Sequence, residues 1–95
     1  MVDAQIIWDL EDDPKGNYWH IVVEGHDITR EEAEEILLDP NASVITSRSS
    51  GRPGKYGWTS TGKHILVFYE EVQDDPWIIY PVTAYPTPPP KRRKR

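Results

Sequence analysis

A chain of 95 residues has room for one hydrophobic core and not for two, and without cysteine it has neither disulfides nor a thiolate metal site to hold that core together. Stability must come from buried apolar side chains, for which four Trp, five Tyr and one Phe supply large pieces. No apolar stretch is long enough to cross a bilayer and no basic segment leads into an apolar one at the N-terminus, so a cytoplasmic protein that does not engage a membrane is expected.

The net charge of −5 conceals a segregation along the chain. Residues 1–39 hold twelve acids against Lys15 and Arg30, a balance of −10, whereas residues 40–69 hold Arg48, Arg52, Lys55 and Lys63 and no acid, a balance of +4. Residues 70–90 return −4 and the last five residues +5. An anionic partner would meet the middle segment or the tail.

In chain order, Ile6, Ile7 and Trp8 form a short apolar run that predicts a strand over residues 5–9. Asp13-Pro14 fits a helix start and Gly25 a helix end, giving a helix over 14–24, although the β-branched and aromatic cluster at 18–23 favours a strand equally. Thr29 and Glu32 make a capping box, with Ile28 and Ala33 as its hydrophobic staple, so a second helix starts at Arg30 and is stopped by Asp39-Pro40. On it Ala33, Ile36 and Leu37 share one face, and Glu31, Glu32, Glu34 and Glu35 read as a solvated one. Strand periodicity then takes over at 43–47, 56–60, 64–71 and 76–85, with a tight turn at Thr61-Gly62 and a short connection at 73–75, which predicts an antiparallel four-stranded meander. Pro81 inside the last run requires an edge position or a bulge. The resulting expectation is an α+β domain over residues 1–86, namely an N-terminal strand, two helices and the meander, followed by a disordered Pro-rich basic tail over 87–95.

Short motifs fall in a telling order along this frame: Trp8-Asp9, Asn17, His20, Gly25, Glu31-Glu32-Ala33, Asp39-Pro40, Arg48-Ser49-Ser50-Gly51, Thr59 through Gly62, and Val82-Thr83-Ala84. From about residue 5 to residue 85 the chain thereby resembles the BrnT branch of the RelE/ParE toxin superfamily. It departs from that pattern at Tyr85, where the family carries Arg, and at Glu24-Gly25-His26, which replaces a K-H-G triplet. The resemblance implies a RelE-like fold and a type II toxin, an endoribonuclease acting on mRNA and held inactive by an antitoxin protein. The alternative is a catalytically inactive scaffold that binds protein or nucleic acid.

The implied reaction is attack of a 2′-hydroxyl on the adjacent phosphodiester, which needs a proton acceptor, a proton donor and cations, but no metal or other cofactor. Arg48, Arg52 and Lys55 lie within eight residues and are candidates to clamp phosphate. His64 carries an imidazole, a side-chain type suited to general acid or base work. Tyr85 stands where RelE-type toxins use a C-terminal Tyr, and could share a proton or stack on a base. Tyr56 and Trp58 alternate onto one side of their strand and, with Lys63 and the other cations, would make a stacking platform for unpaired bases, although Trp58 reads more readily as core. His20 is either a satisfied core residue or a site residue. His20, His26 and His64 lack the close spacing of a zinc site.

Overall fold

The computed structural model describes residues 4–88, so Pro89, Pro90 and the basic segment from Lys91 onward lie outside the described residues. The architecture is α+β, with helical segments packed on one face of a five-stranded mixed sheet of order β1-β5-β4-β3-β2. The strands are β1 (Gln5–Ile6), β2 (Ser43–Thr46), β3 (Pro53–Trp58), β4 (His64–Gln73) and β5 (Ile78–Pro86), and helix α1 spans Arg30–Leu38. The expected meander is present in β2 to β5, each antiparallel to the next. The first strand joins the same sheet parallel to β5, making the sheet mixed rather than a separate strand plus four.

Several boundaries differ from the sequence expectation. Only Gln5 and Ile6 pair as strand, because the chain turns away to be held at Asp9 by Asn17. Asn17 exchanges bonds with Asp9 in both directions and donates Nδ2 to Ile7 O and Pro81 O at 3.0 and 2.9 Å, so one buried amide ties together three segments. Tyr80 donates its hydroxyl to the same carboxylate. These bonds hold Asp9 below its ordinary value, and the Asp9 acceptor is the main reason the Tyr80 phenol is pushed up to about 12.

The first helical segment is shorter than 14–24. Residues 14–16 form a turn, and Trp19–Val23 is a π-helical turn closed by Glu24 N donating to Trp19 O at 2.8 Å. The shortfall lies at its start, and Val23 closes the segment two residues before Gly25, where a Cβ would meet the Ile21 carbonyl oxygen at 1.9 Å. Helix α1 follows the capping box as read, with Thr29 accepting from Glu32 N and the Glu32 carboxylate accepting from Thr29 N. Strand β3 begins at Pro53 and ends before Thr59, which belongs to the hairpin turn, and a leading Pro is tolerated because it need not donate to the ladder. Pro81 sits at a bulge, where Phe68 faces Thr83 and Tyr69 faces Pro81, as its missing N–H requires.

Ile21, Ile28, Ala33, Ile36 and Leu37 pack from the helical side onto Ile65, Val67, Tyr69, Ile79 and Ala84 of the sheet, and this is the core. Since side chains alternate along a strand, His64, Leu66 and Phe68 of β4 point to the opposite face, which no helix covers among the described residues. The turn at Thr61-Gly62 closes with Gly62 at φ 89, a left-handed conformation that costs a Gly nothing.

Candidate nucleic-acid interface

The open face carries three connected depressions. The largest, about 540 Å³, is walled by the 47–52 loop on one side and by Leu66, Phe68, Val82, Thr83 and Tyr85 on the other. The loop owes its shape to Gly51 at φ 74, to Gly51 N donating to Ser47 O, and to Ser47 N donating to Arg52 O at 2.8 Å. That closure places Arg48 and Arg52 at the rim. Phe68 lies over Gly54, where an added Cβ would come within 2.8 Å of its ring, so the glycine keeps the floor low. Tyr85 pairs with Leu66 across β4 and β5 and is flanked by two rings, Phe68 at a centroid distance of 6.2 Å and the exposed His26 edge-on at 6.5 Å.

Arg48, Arg52 and Tyr85, three of the residues singled out in the sequence, therefore share one cavity. Arg52 Nε also donates to Glu70 at 3.1 Å, with both side chains substantially exposed. Such a pair contributes little and exchanges readily for another anion. Thr83 and His26 were not anticipated; Thr83 follows from the strand alternation of Tyr85, whereas the approach of His26 across the open edge of β5 depends on tertiary packing.

Two of the candidate cations lie elsewhere. Lys55 is 6 % exposed and faces the helix, where its Nζ donates to Leu37 O and Asp39 O, each at 3.0 Å. It satisfies carbonyls at the end of α1 that have no partner within the helix, and burial pushes its ammonium below the ordinary Lys value. Lys63 is likewise bound on the helical side, with Nζ donating to Glu32 Oε1 at 3.0 Å and to the Asp27 carbonyl. Lys55 and Lys63 are thus corrections to the phosphate-binding set. Glu32 is a correction to the solvated acidic face, being 4 % exposed. Burial alone would raise its carboxyl, but hydrogen bonds from Thr61, the Thr29 backbone and Lys63, with the Lys63 charge, outweigh it and hold the group at about 2.

The remaining candidates gather at the other end of the face. His64 is nearly buried between Tyr56 and Trp58, with ring centroids at 5.9 and 5.0 Å, and its Nδ1 lies 3.1 Å from Thr87 O. It does not line the Arg48 cavity. Trp58 is not core; it is 56 % exposed beside His64. His20 is exposed and belongs neither to the core nor to this face. Acids of the N-terminal third, Glu31, Glu34 and Glu35, sit on α1 behind the sheet, where Glu34 accepts from Trp8 Nε1 and Glu35 from Ser60. The described residues contain no cluster of three or more metal-ligating side chains, and no described helix is long and apolar enough to cross a membrane.

No family model matches the chain, and neither the curated proteins nor the solved structures contain a significant match.

Proposed function

We propose that this chain is a metal-independent endoribonuclease with a RelE-like fold, acting on mRNA in the cytoplasm and restrained by an antitoxin that covers the Arg48 end of the open face. The observation that carries this reading is the convergence of Arg48, Arg52 and Tyr85 on one cavity, with the acidic helix on the opposite face of the sheet.

A phosphodiester placed in that cavity meets guanidinium groups at the rim, which stabilise the charge that builds on the non-bridging oxygens. Arg52 releases Glu70 to do so. The 2′-hydroxyl oxygen attacks phosphorus, the bond to the 5′-oxygen breaks, and the products are a 2′,3′-cyclic phosphate and a 5′-hydroxyl. Tyr85 donates its phenolic proton to the departing oxygen. The proton of the attacking hydroxyl passes to His26, which stands edge-on to Tyr85 at a centroid distance of 6.5 Å, just outside the residues that wall the cavity.

A second reading, a non-catalytic RNA-binding module, is favoured by one feature: no imidazole or carboxylate lines the Arg48 cavity. Incubating the purified chain with single-stranded RNA in excess chelator separates the two. Cyclic-phosphate ends that disappear in Arg48→Ala and fall on the order of 10²-fold or more in Tyr85→Phe support the nuclease. Retained binding with intact RNA supports the module, and absence of any RNA binding rejects both.

A further inference from the structure

The opposite end of the open face has the makings of a site that phosphate chemistry does not explain. Trp58 ends β3 with most of its ring in solvent, and its cross-strand partner His64 holds it edge-to-face at 5.0 Å. His64 itself is 8 % exposed and lines two depressions of about 340 Å³, one shared with Tyr56 and Leu66, the other with Tyr56, Trp58 and Asp39. Thr87 O can only accept, so the bond at 3.1 Å makes Nδ1 the protonated nitrogen of the neutral ring. Nε2 is then an acceptor. Among the described residues it has no partner, and no buried polar side-chain atom is left orphaned, so it opens onto the depressions that the ring lines. Asp39 stands on the same wall beside Trp58, its carboxylate Oδ1 accepting from Asn41 N at 2.8 Å.

We infer that Trp58, His64 and Tyr56 form a base-reading subsite that stacks one unpaired RNA base against Trp58 and accepts a hydrogen bond from its exocyclic amino group. This inference rests on the RNA-binding reading of the neighbouring cavity and extends it. An aromatic ring that stays exposed beside a fixed acceptor suits a planar ligand with a donor on its edge, and single-stranded bases are recognised in this way. Spacing supports a continuous track: His64 lies two residues along β4 from Leu66, the cross-strand partner of Tyr85, a separation of about 7 Å at the usual strand rise. From the 47–52 loop to Trp58 the track then runs the length of β3, about 17 Å at the usual strand rise, so a strand anchored by phosphate at Arg48 reaches Trp58 with a nucleotide further along. An acceptor at His64 Nε2 selects cytosine, which presents an amino group, over uracil, which presents a carbonyl oxygen in its place.

The test is binding of labelled six-nucleotide oligocytidylate and oligouridylate to the full chain, titrated over a range of salt concentrations. The wild type binds oligocytidylate at least several-fold more tightly than oligouridylate. Trp58→Ala weakens oligocytidylate binding about tenfold without changing the salt slope, and Trp58→Phe recovers most of the loss. His64→Phe keeps the stacking surface and loses the preference for cytosine. Arg48→Ala, by contrast, lowers the salt slope by about one and leaves that preference intact. Binding that weakens in Arg48→Ala but is unchanged in Trp58→Ala overturns the subsite, leaves the RNA reading standing and returns the exposed Trp58 to a protein partner. Equal affinity of the wild type for the two oligonucleotides overturns the base reading. Failure of the wild type to bind either one rejects the RNA reading itself.

Discussion

On the helix-covered face of the sheet, Lys55 and Lys63 commit their ammonium groups to Leu37 O, Asp39 O, Asp27 and Glu32. On the open face Arg48 makes no ion pair among the described residues, and Arg52 shares its guanidinium with the exposed Glu70. All four cations come from one acid-free stretch of sequence. What divides them is the face of the sheet to which each is delivered. Lys55, turned toward α1, loses water and must find carbonyl partners, and Lys63, half-exposed in the hairpin turn, is held by Glu32 and Asp27, so both are structural; a cation left on a loop above the open face keeps its solvent and remains available to a ligand.

Lys55→Ala should break the covered face most severely. It removes a buried cation and leaves the Leu37 carbonyl without its side-chain partner, while Asp39 O keeps its bond from Ala42 N at 3.2 Å, an expected loss of about 2 to 4 kcal/mol. Urea denaturation measures it, and at this chain length the melting temperature should fall by roughly 10 °C or more. RNA affinity measured well below the melting point should be unchanged; a selective loss of RNA affinity with stability intact would return Lys55 to the phosphate site.

Acid should loosen the same face next. The Glu32 carboxyl sits at about 2 in the folded chain against an ordinary 4.5. A carboxyl depressed by folding stabilises the fold fully above its unfolded value, and that contribution is lost as pH falls from about 4.5 toward 2. Urea midpoints should therefore drop through this window, and Glu32→Gln should start from a lower midpoint and fall less steeply. Superimposable pH profiles for the two proteins would show that the Thr29, Thr61 and Lys63 bonds to Glu32 carry no linkage. Asp9, depressed chiefly by the Tyr80 hydroxyl, accounts for acid sensitivity that survives the substitution.

How much of this was readable in the chain follows from the range of the interactions. Helix α1 was legible because its capping box, staple and stop lie within about a dozen residues, and the meander because its turns are local. Pro81 announced its bulge through a missing donor. The place of β1 beside β5 was not legible, since a parallel pairing across more than seventy residues leaves no local signature. The site was half legible. The alternation that sets Tyr56 and Trp58 on one face necessarily sets Lys55 on the other, so the error there came from grouping cations by proximity in sequence rather than by strand parity. Lys63 and Glu32 were beyond such reasoning, because their pairing joins a turn to a helix thirty-one residues away. The Asp9–Asn17 clamp was visible only as two motif residues, with nothing in the spacing to show that their side chains and backbones exchange bonds.

The smallest expected effect on stability sharpens the contrast furthest. A Trp in a core costs several kcal/mol when truncated, whereas Trp58 already exposes 56 % of its surface and touches the fold chiefly through His64. Trp58→Ala should therefore shift folding free energy by no more than about 1 kcal/mol, close to what surface substitutions do. Measured beside Lys55→Ala under the same conditions, it should lie well below that variant. A loss of 3 kcal/mol or more, on the order of a core truncation, would mean that the open face is held together by its own aromatic packing. Trp58, His64 and Tyr56 would then be a second, smaller core, and a base seated there would have to displace contacts that the fold needs. A near-zero change leaves the ring free for a ligand, because what it loses on truncation is surface that the folded chain was not using.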